Sequence, residues 1–143
     1  MDYDALALEL MEQMHTFRKA RVLQGMDEAM QGEKRVLHFI AKQEGEVQPG
    51  EIVRDMQVSP ARIAQTLNGI EKKGLVIRHI DPNDRRKILI AITPEGMDLA
   101  EAHMRDRVEA ISKMLRLLGE QDAREYVRIV GKLAGLMGGS VSE

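Results

Sequence analysis

The sequence predicts a mainly helical fold broken once by a β-hairpin, and three observations carry that reading. Apolar residues recur at three- and four-residue steps over most of the chain. Ser-Pro and Thr-Pro pairs, with glycines further on, mark where helices start and stop. Two β-prone runs stand close together in the middle of the chain, separated by a short polar stretch rich in turn formers.

The chain has 143 residues, about the size of one domain. Tryptophan is absent and aromatics make up 3%, so the core must be built from aliphatic side chains, which suits packed helices. No cysteine is present, which excludes disulfides, thiolate nucleophiles, zinc-thiolate sites and thiol-based peroxide sensing. The first residues, Met1-Asp2-Tyr3-Asp4, are acidic, and no apolar run approaches the roughly 20 residues that span a bilayer. A cytoplasmic protein without a membrane partner is expected. The formal net charge is -2, but residues 59–88 hold seven basic side chains against three acidic ones, a local net of +4. A basic stretch in an otherwise acidic chain is where a nucleic-acid footprint would lie.

Tyr3, Leu6, Leu10, Met14 and Phe17 form the stripe of a first helix. Gln24-Gly25-Met26 is a break, after which Val36, Leu37, Ile40 and Ala41 predict a second helix ending near Glu44-Gly45. Pro49 opens a short third helix whose inner side is Ile52, Val53 and Met56. After a tight turn at Gln57-Val58, Ser59-Pro60 starts a fourth, with Ile63, Leu67 and Ile70 on one face and Gly74 as its terminator. The opposite face is read as Arg62, Gln65, Thr66 and Lys73. Gly69 inside this helix costs about 1 kcal/mol relative to alanine, which points to close packing there.

The runs 75–80 and 87–92 form the hairpin, with Asp81-Pro82-Asn83-Asp84-Arg85-Arg86 as its charged tip. Thr93-Pro94 then opens a long fifth helix along Met97, Met104, Val108, Ile111, Leu115 and Leu118, closed by Gly119. Tyr126, Val130, Leu133 and Met137 mark a sixth, and Gly138-Gly139-Ser140 begins a tail.

Short helix, tight turn, capped helix and hairpin make a winged helix-turn-helix. Its second helix has the length to lie in a major groove, with N-terminal residues reaching base edges. Arg62, Gln65 and Thr66 are the base-reading candidates: arginine matches a guanine edge, glutamine an adenine edge, and a threonine methyl packs on thymine. Ser59, with Pro60 and Ala61 in the first turn, is placed for phosphate at the positive end of the helix dipole, and Lys73 adds charge at the far end. Arg85 and Arg86 at the hairpin tip suit a narrow minor groove, where negative potential concentrates. Asp84 beside them is read as an intraloop partner that orients an arginine.

These residues carry a resemblance. Leu75-Val76-Ile77-Arg78, Asp81-Pro82-Asn83-Asp84-Arg85-Arg86 and Leu89-Ile90-Ala91-Ile92-Thr93-Pro94-Glu95-Gly96, with Gly74-Leu75 closing the preceding helix, resemble the MarR family of bacterial transcriptional regulators. The resemblance implies one MarR-like domain over 1–143. Its winged helix-turn-helix lobe would span 33–92, and helices over 1–24 and 94–138 would interlock two subunits into a homodimer on a palindrome of double-stranded DNA. It assigns Arg86 to the minor groove with Asp84 steadying it, ahead of Arg85. It also implies a small-molecule effector, aromatic or phenolic, held between the dimer helices and the DNA lobe. Met14, Phe17, Arg18 and His38 are the candidate lining, with Arg18 poised for a carboxylate.

Met11, Met14, Met97, Met104 and Met114 could line such a pliable pocket, act as an oxidation switch, or simply fill the core. His15, His38 and His103 lack the tight spacing of a zinc motif, so neither a metal nor any other cofactor is expected. No nucleophile elbow and no glycine-rich phosphate loop occurs, which argues against an enzyme. The competing non-enzymatic reading is a helical protein-interaction adaptor that uses its wing on protein.

Overall fold

The computed structural model of the chain describes residues 1–22 and 28–138. The expected break at Gln24-Gly25-Met26 and the tail beyond Gly138 lie outside the described residues. Contacts cluster into two units, residues 1–100 and 101–143. The element order is α1 (Tyr3–Val22), α2 (Glu28–Lys42), α3 (Pro49–Met56), α4 (Pro60–Lys72), β1 (Val76–Ile80), β2 (Ile88–Ile92), α5 (Pro94–Leu118) and α6 (Glu120–Gly138). Among the described residues it is mainly helical with one two-stranded antiparallel hairpin, as the sequence predicts.

The first unit is organised around α4. Ile63, Leu67 and Ile70 recur at helical spacing and are buried against Val36, Leu37 and Ile40 of α2, Ile52 of α3 and Val76 and Ile90 of the hairpin. Burying each such side chain is worth about 1.5–3 kcal/mol, so the rotational setting of α4 is fixed by its core stripe. The hairpin pairs Val76 with Ile92 and Ile80 with Ile88. A third short stretch joins it: Val47 and Ile90 exchange both backbone hydrogen bonds, at 3.0 and 2.8 Å. This bridge, which lies between α2 and α3, has no alternating run to announce it in the sequence.

The local signals explain the element ends. Pro49 takes the first position of α3, and the Gln48 N–H donates to the Glu51 carboxylate at 2.6 Å. The turn into α4 is made by Gln57, left-handed at φ 53°. Ser59 Oγ accepts the Arg62 N–H at 3.3 Å. α4 stops at Lys72, just short of Gly74, whose φ of +74° lets the Leu75 N–H reach back to the Ile70 carbonyl at 3.0 Å. Thr93 Oγ1 accepts the Gly96 N–H at 3.0 Å and donates to the Gly74 carbonyl at 2.7 Å. One hydroxyl thereby ties the end of α4 to the start of α5.

The second unit holds the rest of α5, the turn at Gly119 (φ +80°) and α6. No residue of α6 is buried, and Val108, Ile111, Val130 and Leu133 are each 47–55% exposed. The predicted stripe of α1 is also uncovered, from Leu6 at 47% to Tyr3 at 73%. Large apolar side chains of α1, α5 and α6 are thus exposed among the described residues.

Candidate nucleic-acid interface

With the core stripe of α4 fixed, a helix that turns 100° per residue carries Ala61, Gln65, Asn68 and Lys72 on its outward face. All four are exposed. This corrects the expected composition of that face. Gln65 belongs to it, but Arg62, Thr66 and Lys73 lie on the flank toward α2, roughly a quarter-turn away. Arg62 and Thr66 line a concavity of about 260 Å³ together with Gln31, Gly32 and Arg35 of α2. The Thr66 hydroxyl donates to the Arg62 carbonyl at 2.9 Å. Lys73 Nζ is paired with Glu33 at 2.5 Å. A Cβ on Gly69 would lie 2.7 Å from Glu33 Oε1, so the glycine makes room for the carboxylate that holds Lys73.

The other flank of α4 meets the hairpin. Arg78 on β1 donates from Nε and Nη2 to the two oxygens of Glu71, at 2.8 and 3.1 Å, and from Nη2 to Asn68 Oδ1 at 2.5 Å. This fork fastens α4 to the wing through planar, charge-assisted bonds. The Arg78 guanidinium holds the Glu71 carboxyl below its usual range, chiefly through the side-chain hydrogen bond. Asn68, Lys72 and the Arg78 fork were not among the residues expected from sequence. The outward set was recoverable by counting 100° steps from Ile63, Leu67 and Ile70; the fork, which joins residues on two elements, was not.

At the hairpin tip, two carboxylates each accept a backbone N–H two residues on. Asp81 Oδ1 accepts that of Asn83 at 2.8 Å, and Asp84 Oδ1 that of Arg86 at 3.1 Å. The Lys87 N–H closes the turn on the Asp84 carbonyl at 3.0 Å. Arg86 Nε also donates to Asp84 Oδ1 at 3.3 Å, while the Arg86 side chain is 92% exposed. Arg85 is exposed beside it. At the tip end of β1, His79 Nε2 meets Glu46 Oε1 at 2.5 Å, which raises the imidazole pKa and ties the wing to the segment carrying Val47.

Ser59, Pro60, Ala61, Gln65, Asn68 and the Asp84-Arg86 tip therefore all belong to one lobe. The expected effector lining is not assembled in the same way. Met14, Phe17 and Arg18 lie exposed along α1 and His38 lies half-buried on α2. Neither the α2–α4 concavity nor a second one of about 330 Å³ between α3, α4 and the hairpin is lined by any of the four. Among the described residues no group of three or more His, Asp or Glu side chains is placed to hold a metal ion.

A helix-turn-helix followed by a hairpin whose arginine tip is built by its own turn defines a winged-helix fold, and comparison with known proteins agrees. The sequence profile described as the MarR family matches residues 25–87. The HTH-type transcriptional regulator YwhA of Bacillus subtilis strain 168 is 27% identical over 139 residues, covering 94% of this chain and 99% of that protein. The YusO protein of B. subtilis superposes with a TM-score of 0.71 at 24% identity, over 94% of this chain and 99% of that one. FabT of Streptococcus pneumoniae, solved in complex with DNA, gives 0.70 at 20% identity, over 96% and 98%. Over residues 25–87 the chain is similar to the MarR family, and its fold is that of the solved winged-helix proteins it superposes on.

Proposed function

We propose that the chain is a homodimeric repressor that covers a palindromic operator and releases it when a small molecule binds. The observation that carries this reading is the pairing, in one lobe, of an outward α4 face with an arginine tip whose root is fixed by Asp84. α4 would enter the major groove through Ser59, Pro60, Ala61, Arg62 and Gln65, with Thr66 and Lys73 on its flank. Arg86 would enter the adjacent minor groove, with Arg85 nearer the phosphates. The DNA-bound FabT structure of the same fold supports this use of the lobe.

The dimer reading rests on the uncovered apolar residues of α1, α5 and α6. Exposed apolar surface on this scale marks an interaction site, and two-fold symmetry matches half-sites about one helical turn apart. The effector is expected to be an aromatic or phenolic compound held near Met14, Phe17, Arg18 and His38 once two subunits meet. It can act only to the extent that it binds the arrangement unable to span the operator more tightly. No helix among the described residues is long and apolar enough to cross a membrane, in keeping with a cytoplasmic site of action.

The test is binding of the purified protein to duplex DNA from its own upstream region at low and physiological salt, with sedimentation to give the oligomeric state. A sequence-selective dimer, weakened by Arg86→Ala and by Arg62→Ala and steeply by salt, supports the proposal. Binding no better than to random duplex, by an intact dimer, would replace it with the protein-interaction adaptor.

A further inference from the structure

Asn68 occupies the outward face of α4 one turn beyond Gln65, and the two amides differ in their surroundings. Among the described residues the Gln65 side chain makes no hydrogen bond, so either edge of its amide can meet a base. Asn68 is tethered: its oxygen accepts from Arg78 Nη2 at 2.5 Å. An arginine offers donors only, so the oxygen must face the guanidinium and the NH2 group must face away. Arg78 is itself held by both oxygens of Glu71, so the tether has a fixed anchor. Neither Nδ2–H is engaged by another described residue, and Asn68 is exposed.

A free asparagine pairs with adenine by accepting from N6 while donating to N7. With its oxygen turned to Arg78, Asn68 presents its NH2 donors outward. In the major groove, acceptors are presented by guanine at O6 and N7 and by thymine at O4; the single acceptor of adenine, N7, is flanked by its N6 donor, which repels the second N–H of the amide, and cytosine presents the N4 donor. We propose that Asn68 is a specificity-determining residue whose amide is locked as a donor by Arg78, selecting guanine or thymine and rejecting cytosine at one position of each half-site. This rests on the reading of α4 as the major-groove helix.

The experiment is selection of bound duplexes from a library with a randomised core, using the full chain as wild type, Asn68→Asp and Asn68→Ala. Aspartate keeps an oxygen for Arg78 but turns an acceptor outward, the group that matches cytosine N4. The expected result is a guanine or thymine preference in the wild type that is reversed to cytosine by Asn68→Asp and flattened by Asn68→Ala. The change in relative enrichment should be about five- to tenfold, the range of one hydrogen bond gained or lost. Circular dichroism and thermal melting of both variants confirm that the exposed site leaves the fold intact. If all three proteins select the same bases, Asn68 only fastens the wing and the inference is overturned. If the wild type enriches no sequence, the DNA reading of α4 fails and takes the inference with it.

Discussion

Asp84 receives two hydrogen bonds from Arg86 on a single oxygen, one from the backbone N–H at 3.1 Å and one from Nε at 3.3 Å. The first shapes the turn and the second orients the side chain, so the residue that bends the tip also aims the arginine. The Arg86 N–H, and then its guanidinium, hold the Asp84 carboxyl below its usual pKa. With the folded value depressed, this contribution to the turn is present above the unfolded pKa and is lost as pH falls through the folded one.

Replacing Arg86 by alanine should weaken operator binding about tenfold or more, measured by fluorescence anisotropy at fixed salt. Asp84→Ala distinguishes two roles for the acid. If Asp84 aims Arg86, its loss weakens binding about two- to fivefold despite the removal of a negative charge near phosphate. Tighter binding by Asp84→Ala would mean that the carboxylate merely repels DNA.

His79 provides a second pH-dependent contact of the wing, of opposite sign. Its imidazole faces Glu46, with the Ile80 carbonyl and Asp81 adding to the effect, and its pKa is raised, most by the Glu46 hydrogen bond. The sign follows: a raised folded pKa gives stability that is complete below the unfolded value and is lost as pH rises through the folded one. Titration of the His79 ring by NMR should give a pKa above that of a free histidine, and Glu46→Gln should bring it down. An unshifted wild-type ring would remove Glu46 as its partner.

Much of this lobe was legible because its signals are local. The stripes of α2 and α4, the proline starts at Pro49, Pro60 and Pro94 and the caps at Ser59 and Thr93 each depend on a few neighbouring residues. The pairing of Asp84 with Arg86 was legible for the same reason. Contacts between distant positions were not. Glu33 and Lys73, His79 and Glu46, and Val47 and Ile90 are each separated by more than 30 residues, and no periodicity links them. The face of α4 was misjudged for another reason: polar character was taken as the guide to the outward side, when the angle from Ile63, Leu67 and Ile70 decides it.

The two caps should differ in weight. Ser59 is exposed and satisfies one N–H, so Ser59→Ala should cost about 1 kcal/mol. Thr93 is 9% exposed, accepts from the Gly96 N–H and donates to the Gly74 carbonyl. Thr93→Val keeps the shape but strands a buried donor, at a cost of about 2–4 kcal/mol. Equal losses in urea melts would show that the bridge from Thr93 to Gly74 contributes little.

Two glycines can be ranked by what an added methyl would meet. At Gly69 the Cβ would lie 2.7 Å from Glu33 Oε1, the far end of a side chain that can rotate away. Gly69→Ala should therefore gain up to about 1 kcal/mol of helix propensity and lose a surface ion pair worth about 0–1 kcal/mol, leaving stability nearly unchanged. It should also release Lys73 from Glu33 and steepen the salt dependence of DNA binding by up to about one unit of slope. At Gly96 the Cβ would collide with the carbonyl oxygen of Leu75 and crowd Ile92. That oxygen accepts the Thr93 N–H at 3.0 Å, so it cannot move without breaking the junction of β1 with α5. Gly96→Ala should cost about 2–4 kcal/mol, seen as a lower urea midpoint at unchanged slope. A Gly69→Ala chain as unstable as Gly96→Ala would mean that Glu33 is fixed in place, and that its pairing with Lys73 is a structural contact of the lobe.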